Sequence, residues 1–135
     1  MPDEGKLEVD LVSPERQIFS KPAHMVIVSG SEGDFGVLPG HAPIISSIRP
    51  GALEVQDSNN NELLFVSGGI VEVLGDKVSI LATEVLSKDE IKVDECESKI
   101  NNYINEMQSL SNDQDKEKNQ KLIDKYQSMI DFKNL

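Results

Sequence analysis

Glu32 and Asp34, two carboxylates separated by one glycine, are the nearest this chain comes to an acid–base pair. Such a pair does proton-transfer work when its surroundings drive the two pKa values apart. The chain carries 24 acidic residues, so solvated loop charges account for both more simply. His24 and His41 are the only two histidines. A metal site needs several converging ligands, and neither has a second His or Cys at a ligand spacing. His41 stands between Gly40 and Ala42-Pro43, where it orders its loop or touches a partner. Ser67 precedes Gly68-Gly69 but lacks the Gly-x-Ser-x-Gly frame of a nucleophile elbow. Asp34-Phe35-Gly36 spells the magnesium-binding triplet of protein kinases, yet no other kinase motif is present. Gly30, Gly33 and Gly36 lead to no Gly-Lys-Ser/Thr, so they do not make a phosphate loop. No catalytic constellation emerges. The expectation is a chain that carries no cofactor or metal.

Composition narrows the classes further. At 135 residues the chain is one modest domain, or one domain with an appendage. A formal charge of −11 with no basic run argues against a nucleic-acid groove. The single Cys96 excludes an internal disulfide framework and a cysteine-based zinc site, which suits a reducing compartment. The start, Met1-Pro-Asp-Glu-Gly-Lys, has no basic-then-apolar signal pattern and is too acidic for a typical transit peptide. No apolar run approaches the roughly 20 residues of a membrane helix, so any membrane association is expected through partner proteins.

The elements that must position these residues fall into two parts. Residues 1–86 read as β structure. Leu7, Val9 and Leu11 alternate with Glu8, Asp10 and Val12, the period of a half-buried strand. Further strands are expected at 24–28, 44–48, 53–55, 63–66, 69–73 and 78–82. Turn signals divide them at Ser13-Pro14, Ser20-Lys21-Pro22, Pro50-Gly51, 57–61 and Gly75-Asp76. Gly30 to Pro43 holds four glycines and two prolines around Phe35, Val37 and Leu38, and reads as a shaped loop. Short strands at this spacing predict an antiparallel sandwich, and the lack of a crossover helix argues against parallel pairing.

Residues 87–135 change period. From 88 onward there is no glycine or proline. Cys96, Ile100, Tyr103, Ile104, Met107 and Leu110 recur at steps of three and four, as do Leu122, Ile123, Tyr126, Met129 and Ile130. Ser111-Asn112-Asp113 marks a turn between them. The expectation is an antiparallel αα-hairpin with helices at about 94–110 and 114–132. Ser87 with Glu90 forms a capping-box pattern that competes for the start of the first helix, and the later start near Asp94 is preferred. Lys116, Lys118, Lys121, Lys125 and Lys133 sit among Asp113, Asp115, Glu117, Asp124 and Asp131. They read first as a salt-bridged solvent face and second as a contact for an acidic partner. Helices this short are marginal alone, so the hairpin must pack on the β part or on a partner, a choice that would permit switching.

The run Gly30-Ser31-Glu32-Gly33-Asp34-Phe35-Gly36-Val37-Leu38-Pro39-Gly40-His41-Ala42-Pro43 resembles, without a gap, the signature of the ε subunits of F-type ATP synthases. Ser67-Gly68-Gly69-Ile70-Val71-Glu72-Val73 is similar to that family's Ser-Gly-Gly strand. The resemblance is strong over residues 5 to about 86 and weak beyond. It implies a flattened β-sandwich of about ten strands followed by a helical hairpin. It also implies a rotor subunit at the base of the central stalk, bound to γ on one side and to the c-ring on the other, on the cytoplasmic face of a bacterial inner membrane. Carried over by position, Ser13 and Asp34 fall at the c-ring, and His41 and Ser46 face γ. In some relatives the hairpin inhibits ATP hydrolysis through basic residues of the second helix, often arginines, that meet an acidic loop of the β subunit, so the α and β subunits are candidate partners here. Lys121 and Lys125 stand there, and lysine lacks arginine's bidentate fork. Some relatives bind ATP through an Ile/Leu-Asp-x-x-Arg-Ala stretch. Here Val93-Asp94-Glu95-Cys96-Glu97-Ser98 lacks the arginine, so tight ATP binding is not expected. The rival from another class is a free-standing β-sandwich adaptor with a helical ligand-binding arm.

Overall fold

A computed structural model describes residues 5–58 and 60–135. Among them, ten strands are followed by two helices. The strands are β1 (Leu7–Val12), β2 (Gln17–Ala23), β3 (Met25–Gly30), β4 (Gly33–Val37) and β5 (Ile44–Ile48). They continue with β6 (Gly51–Asp57), β7 (Asn60–Val66), β8 (Gly69–Leu74), β9 (Lys77–Ala82) and β10 (Val85–Leu86). All belong to one curled sheet in the order β10-β7-β6-β3-β5-β8-β9-β1-β2, with β4 paired to β3. Curling brings β2 against β6 and closes a sandwich-like core. Lys21 of β2 reaches Glu62 of β7 at 2.7 Å across that closure.

The core follows from the period of two. Leu7, Val9 and Leu11 are completely buried, and their inward neighbours are Val26, Val28, Leu53, Val55, Val71, Val73, Val78 and Ile80. Most are β-branched, as a pleated surface favours.

Three details differ from the sequence expectation. Pairing is antiparallel except between β1 and β9, which run parallel, Val9 beside Val78 and Leu11 beside Ile80. No crossover helix is needed, because strands β2 to β8 make the connection. Pro22 lies inside β2, opposite Glu8, rather than in a turn. β2 ends the strand order, and an edge strand is where a residue without an N–H is tolerated. The glycine-rich stretch is also half strand: Gly33 to Val37 pair with Val26 to Gly30, leaving Ser31-Glu32 as the hairpin turn. Of the predicted turn at 57–61, Asn59 lies outside the described residues, and Asp57 pairs with Asn60. The start of the chain, read above for targeting signals, lies outside them as well.

The chain divides into two compact units, Met1–Leu86 and Ser87–Leu135. In the second, both competing start signals are used. The N–H and hydroxyl of Ser87 donate to the Glu90 carboxylate, each at 3.0 Å, and cap a 3-10 turn over Lys88–Glu90. Ile91 and Lys92 are extended, and α1 spans Val93–Met107 with Asp94 and Glu95 in its first turn. α2 spans Asp113–Lys133, and Asn112 accepts from the Gln114 N–H at 2.7 Å to cap it. The helices are antiparallel. Tyr103 and Tyr126 stack with ring centroids 6.1 Å apart, and buried Asn119 donates to the Tyr103 carbonyl at 2.9 Å. Ile104, placed on the apolar face by period, is exposed.

Candidate subunit interface

The β-sandwich presents two ends and one unusual face. Strand β1 has six residues, so the ends stand about 20 Å apart at ~3.3 Å per residue.

At one end lie the turn after β1, the β3–β4 turn, and the links joining β5 to β6 and β7 to β8. Ser13 and Asp34 both fall here. Ser13 is buried. Its N–H and hydroxyl both engage the Arg16 carbonyl, at 2.9 and 3.3 Å, so this side chain shapes a turn. Asp34 is exposed, and its carboxylate is held by the Arg49 guanidinium. It is therefore an ion-paired strand residue rather than the solvated loop charge expected from the sequence. Arg49 is itself fixed from its backbone: its N–H donates to Ser29 O at 2.9 Å, and Ser29 Oγ donates to Arg49 O at 2.8 Å. Since Ser29 pairs with Asp34 across the hairpin, the whole ion pair rides on β3 and β4.

The opposite end carries the Pro39-Gly40-His41 loop and the β8–β9 turn. Leu38 O accepts from His41 N–H at 3.1 Å, and Gly40 has φ +85°. Proline then glycine at the two central positions is the pattern of a type II turn. Gly40 N–H donates to Asp76 Oδ1 at 3.0 Å, which ties this loop to the β8–β9 turn. His41 Nδ1 donates to Ala42 O at 2.6 Å, leaving Nε2 of the neutral ring as an acceptor. Nearby, Lys6 bonds Asp57 at 3.0 Å and His24 approaches it at 3.5 Å. The bond from Lys6, with one from the Ser58 N–H, holds the Asp57 carboxyl below its ordinary range. Ser46 is not at this end. It lies in β5 opposite buried Val71, and its hydroxyl donates to Ser47 O at 2.9 Å. The outward positions of that strand are Ile45 and Ser47.

Those outward positions open the feature that residue patterns missed. Ile45 is 71 % exposed, Leu74 63 %, Leu81 57 % and Ile70 49 %. Register puts them on one side of β5, β8 and β9: Ile45 faces Glu72, Ile70 faces Leu81, and Leu74 faces Lys77. Two shallow apolar grooves, each of about 360 Å³, lie on this side. One runs past Val12, Ser13, Ile70 and Leu81, the other past Pro43, Ile45 and Leu74. Four large exposed apolar side chains on one side of a sheet, with Glu72 and Lys77 among them, are the mark of an association surface. The signal was present in Ile44-Ile45 and Ile80-Leu81, where both phases of a strand are apolar.

On the helical unit, Lys121 pairs with Glu117 at 3.8 Å, with both side chains well exposed. Lys125 lies over the Tyr126 ring. The expected lysine partners Asp124 and Asp131 instead accept from Gln120 and Gln127, at 2.9 and 3.1 Å. Cys96 is buried, and burial followed by the charges of Glu95, Asp94 and Glu97 pushes its thiol up, the opposite of an activated nucleophile. Among the described residues no three His, Cys, Asp or Glu side chains gather as a metal site. None of the described helices is long and apolar enough to cross a membrane.

Comparison with known proteins agrees with the geometry. Residues 6–88 match the family described as the β-sandwich domain of the ATP synthase delta/epsilon chain. The chain is 37 % identical over 124 residues to the ATP synthase epsilon chain of Maricaulis maris, covering 92 % of this chain and 93 % of that one. It is 46 % identical over 87 residues to the epsilon chain of Rhodospirillum centenum, covering 62 % of this chain and 60 % of that one. In fold it resembles a chain of the Euglena gracilis mitochondrial ATP synthase with a TM-score of 0.84 at 20 % identity, covering 94 % of this chain and 81 % of that one. A second likeness, to a chain of the Tetrahymena thermophila mitochondrial ATP synthase central stalk and c-ring, has a TM-score of 0.59 at 18 % identity. It covers 66 % of this chain and 72 % of that one.

Proposed function

Since the chain belongs to the ATP synthase delta/epsilon chain family and is a stalk subunit of that enzyme complex, we propose that it couples c-ring rotation to γ as a rigid, non-catalytic wedge. The observation that carries this is the family match over the whole β-sandwich. Torque transmission needs firm attachment at two places and little give between them. The Ser13 and Asp34 end supplies one attachment, toward the c-ring loops. There the Asp34–Arg49 pair offers both signs of charge for partner loops to engage. The apolar face bearing Ile45, Ile70, Leu74 and Leu81, with His41 at its edge, supplies the other, toward γ. Ser46 acts there through the course of β5 rather than by contact. Between the attachments lies a curled sheet packed on a buried apolar core, which deforms little under load.

The helical hairpin is the element free to regulate. Its reach toward the α and β subunits through Lys121 and Lys125 would be weak, since both are single point charges. The chain sits on the membrane complex peripherally, and the epsilon chains of Maricaulis maris and Rhodospirillum centenum favour the cytoplasmic face of a bacterial inner membrane.

The test is ATP hydrolysis by an α3β3γ complex with no addition, with the full chain, and with a version ending at Ser87. Binding of both versions to γ supports the coupling role. Slowing by the full chain alone assigns inhibition to residues 88–135. Failure of either to bind γ would overturn the reading and favour a free-standing adaptor.

A further inference from the structure

The two ends of the helical unit are joined by a reciprocal pair of lysine bonds. Lys88 Nζ, on the 3-10 turn that opens the unit, donates to the main-chain oxygen of Leu135 at 2.6 Å, just past α2. Lys133 Nζ, in the last turn of α2, donates to the main-chain oxygen of Lys88 at 2.7 Å. Each lysine therefore bonds a main-chain oxygen at or beside the element the other belongs to. The last carbonyls of a helix have no intrahelical partner, and they lie at the negative end of its dipole. Lys88 brings a cation to that negative end while bonding the Leu135 oxygen beyond it, and its ammonium lies 5.9 Å from the centre of the Phe132 ring. Phe132 itself is buried. The Lys88 carbonyl already accepts from Ile91 N–H at 3.1 Å, so Lys133 uses its second lone pair.

We propose that these two lysines form a latch that keeps the far end of α2 on the segment where the hairpin begins. Toward the turn between the helices the seam is thin: Ile104 points to solvent and Leu110 is only half-buried, and the Tyr103–Tyr126 stack and the Asn119 bond hold it. Toward the other end Cys96, Met129 and Phe132 are buried, and the lysine pair stands at that end, where fraying would start. Lys88 stands in the 3-10 turn that opens the helical unit, so the latch fixes the end of α2 to that unit's own first turn. It is a property of the hairpin itself and stands without any partner subunit.

The test is amide hydrogen exchange on the full chain with Lys88→Met, Lys133→Met and the double substitution. Methionine keeps the aliphatic stem beside Phe132 and removes the donor. The latch predicts faster exchange of residues 130–135 and of Ile91 in each variant, by about two- to fivefold, the effect of one charge at a helix C-terminus. Strands β1 to β9 should be unchanged. Lys118→Met, on the exposed side of α2, serves as the control and should leave every rate alone. Unchanged exchange at both ends in the double variant, or an equal rise in the control, would overturn the latch.

Discussion

Gly33 and Gly69 offer a matched pair for separating backbone strain from steric exclusion. Their φ angles are +131° and +137°, a region that L side chains rarely adopt. Their surroundings are opposite. A Cβ added at Gly33 meets nothing within 4 Å. At Gly69 it would lie 2.1 Å from Leu81 O and 3.0 Å from Ala82 Cα. Both are backbone atoms of β9, directly across the β8–β9 ladder, where Gly69 pairs with Ala82. No flexible side chain can move aside. Gly33→Ala should therefore cost only the backbone term, roughly 1–3 kcal/mol. Gly69→Ala should cost that and a displaced strand besides, which places it in the rare class beyond about 4 kcal/mol. Both tyrosines of the chain lie in the helices and it has no tryptophan, so intrinsic fluorescence does not report on the sandwich. Calorimetry of the full chain, with exchange at Val71 and Ile80 as a local readout, does. If Gly69→Ala proves no more destabilising than Gly33→Ala, the close approach of β9 does not limit that position, and the account of the Ser67-Gly68-Gly69 block is wrong.

Further outcomes follow from burial and charge. Leu11→Ala removes a completely buried side chain and should lose about 2–5 kcal/mol in urea unfolding. Ile45→Glu and Leu81→Glu should change stability by no more than about 0.5 kcal/mol, as exposed positions do. They should nonetheless weaken γ binding by about 2 kcal/mol, some thirtyfold, measured by titration calorimetry. Asp57 titrates below its ordinary value of 3.8 when folded, so its contribution is present above that value and fades as pH falls through the folded one. Asp57→Asn should be less stable than the parent at pH 6, with the gap closing below about pH 4 in urea titrations; a gap that grows on acidification would contradict the sign. Cys96 should react with a maleimide far more slowly at pH 7.5 in the native chain than in urea, because its thiol is buried and pushed up.

Fold class was legible because alternation reports which side of a strand faces the core. Leu7, Val9 and Leu11 needed nothing more, and the helices could be bounded within a few residues by Asn112 and the steps of three and four. Alternation says nothing about neighbours, so the parallel seating of β1 beside β9 could not be read. Pro22 hid β2, since proline reads as a turn unless the strand is known to be an edge. The Gly30–Gly36 stretch hid β4 for the same reason: glycines that permit a tight hairpin look like loop residues. Ser87 and Glu90 gave a true cap but for a short 3-10 turn, a distinction that two more residues of extended backbone decide.

The interface was harder to read than the fold, and the difficulty is physical. An isoleucine in a strand gives one signal whether it fills a core or a contact. Ile44-Ile45 reads as a strand covered on both sides. Only the register shows that Ile44 sits opposite buried Val73 while Ile45 stands out opposite Glu72. Burying one such side chain is worth about 1.5–3 kcal/mol, and Ile45, Ile70, Leu74 and Leu81 forgo about half of that or more in the isolated chain. Folding alone gives no reason to keep four of them on one face, where polar residues would serve solubility better. Their gain is realised when another surface covers β5, β8 and β9. By the same reasoning the predicted contact residues divide by what already holds them. Ser13 is held in the Arg16 turn and Asp34 is paired with Arg49, so on the proposed reading Ser13 shapes its end while the Asp34–Arg49 pair presents charge there. The exposed apolar side chains have no such commitments, and the binding energy should be found there.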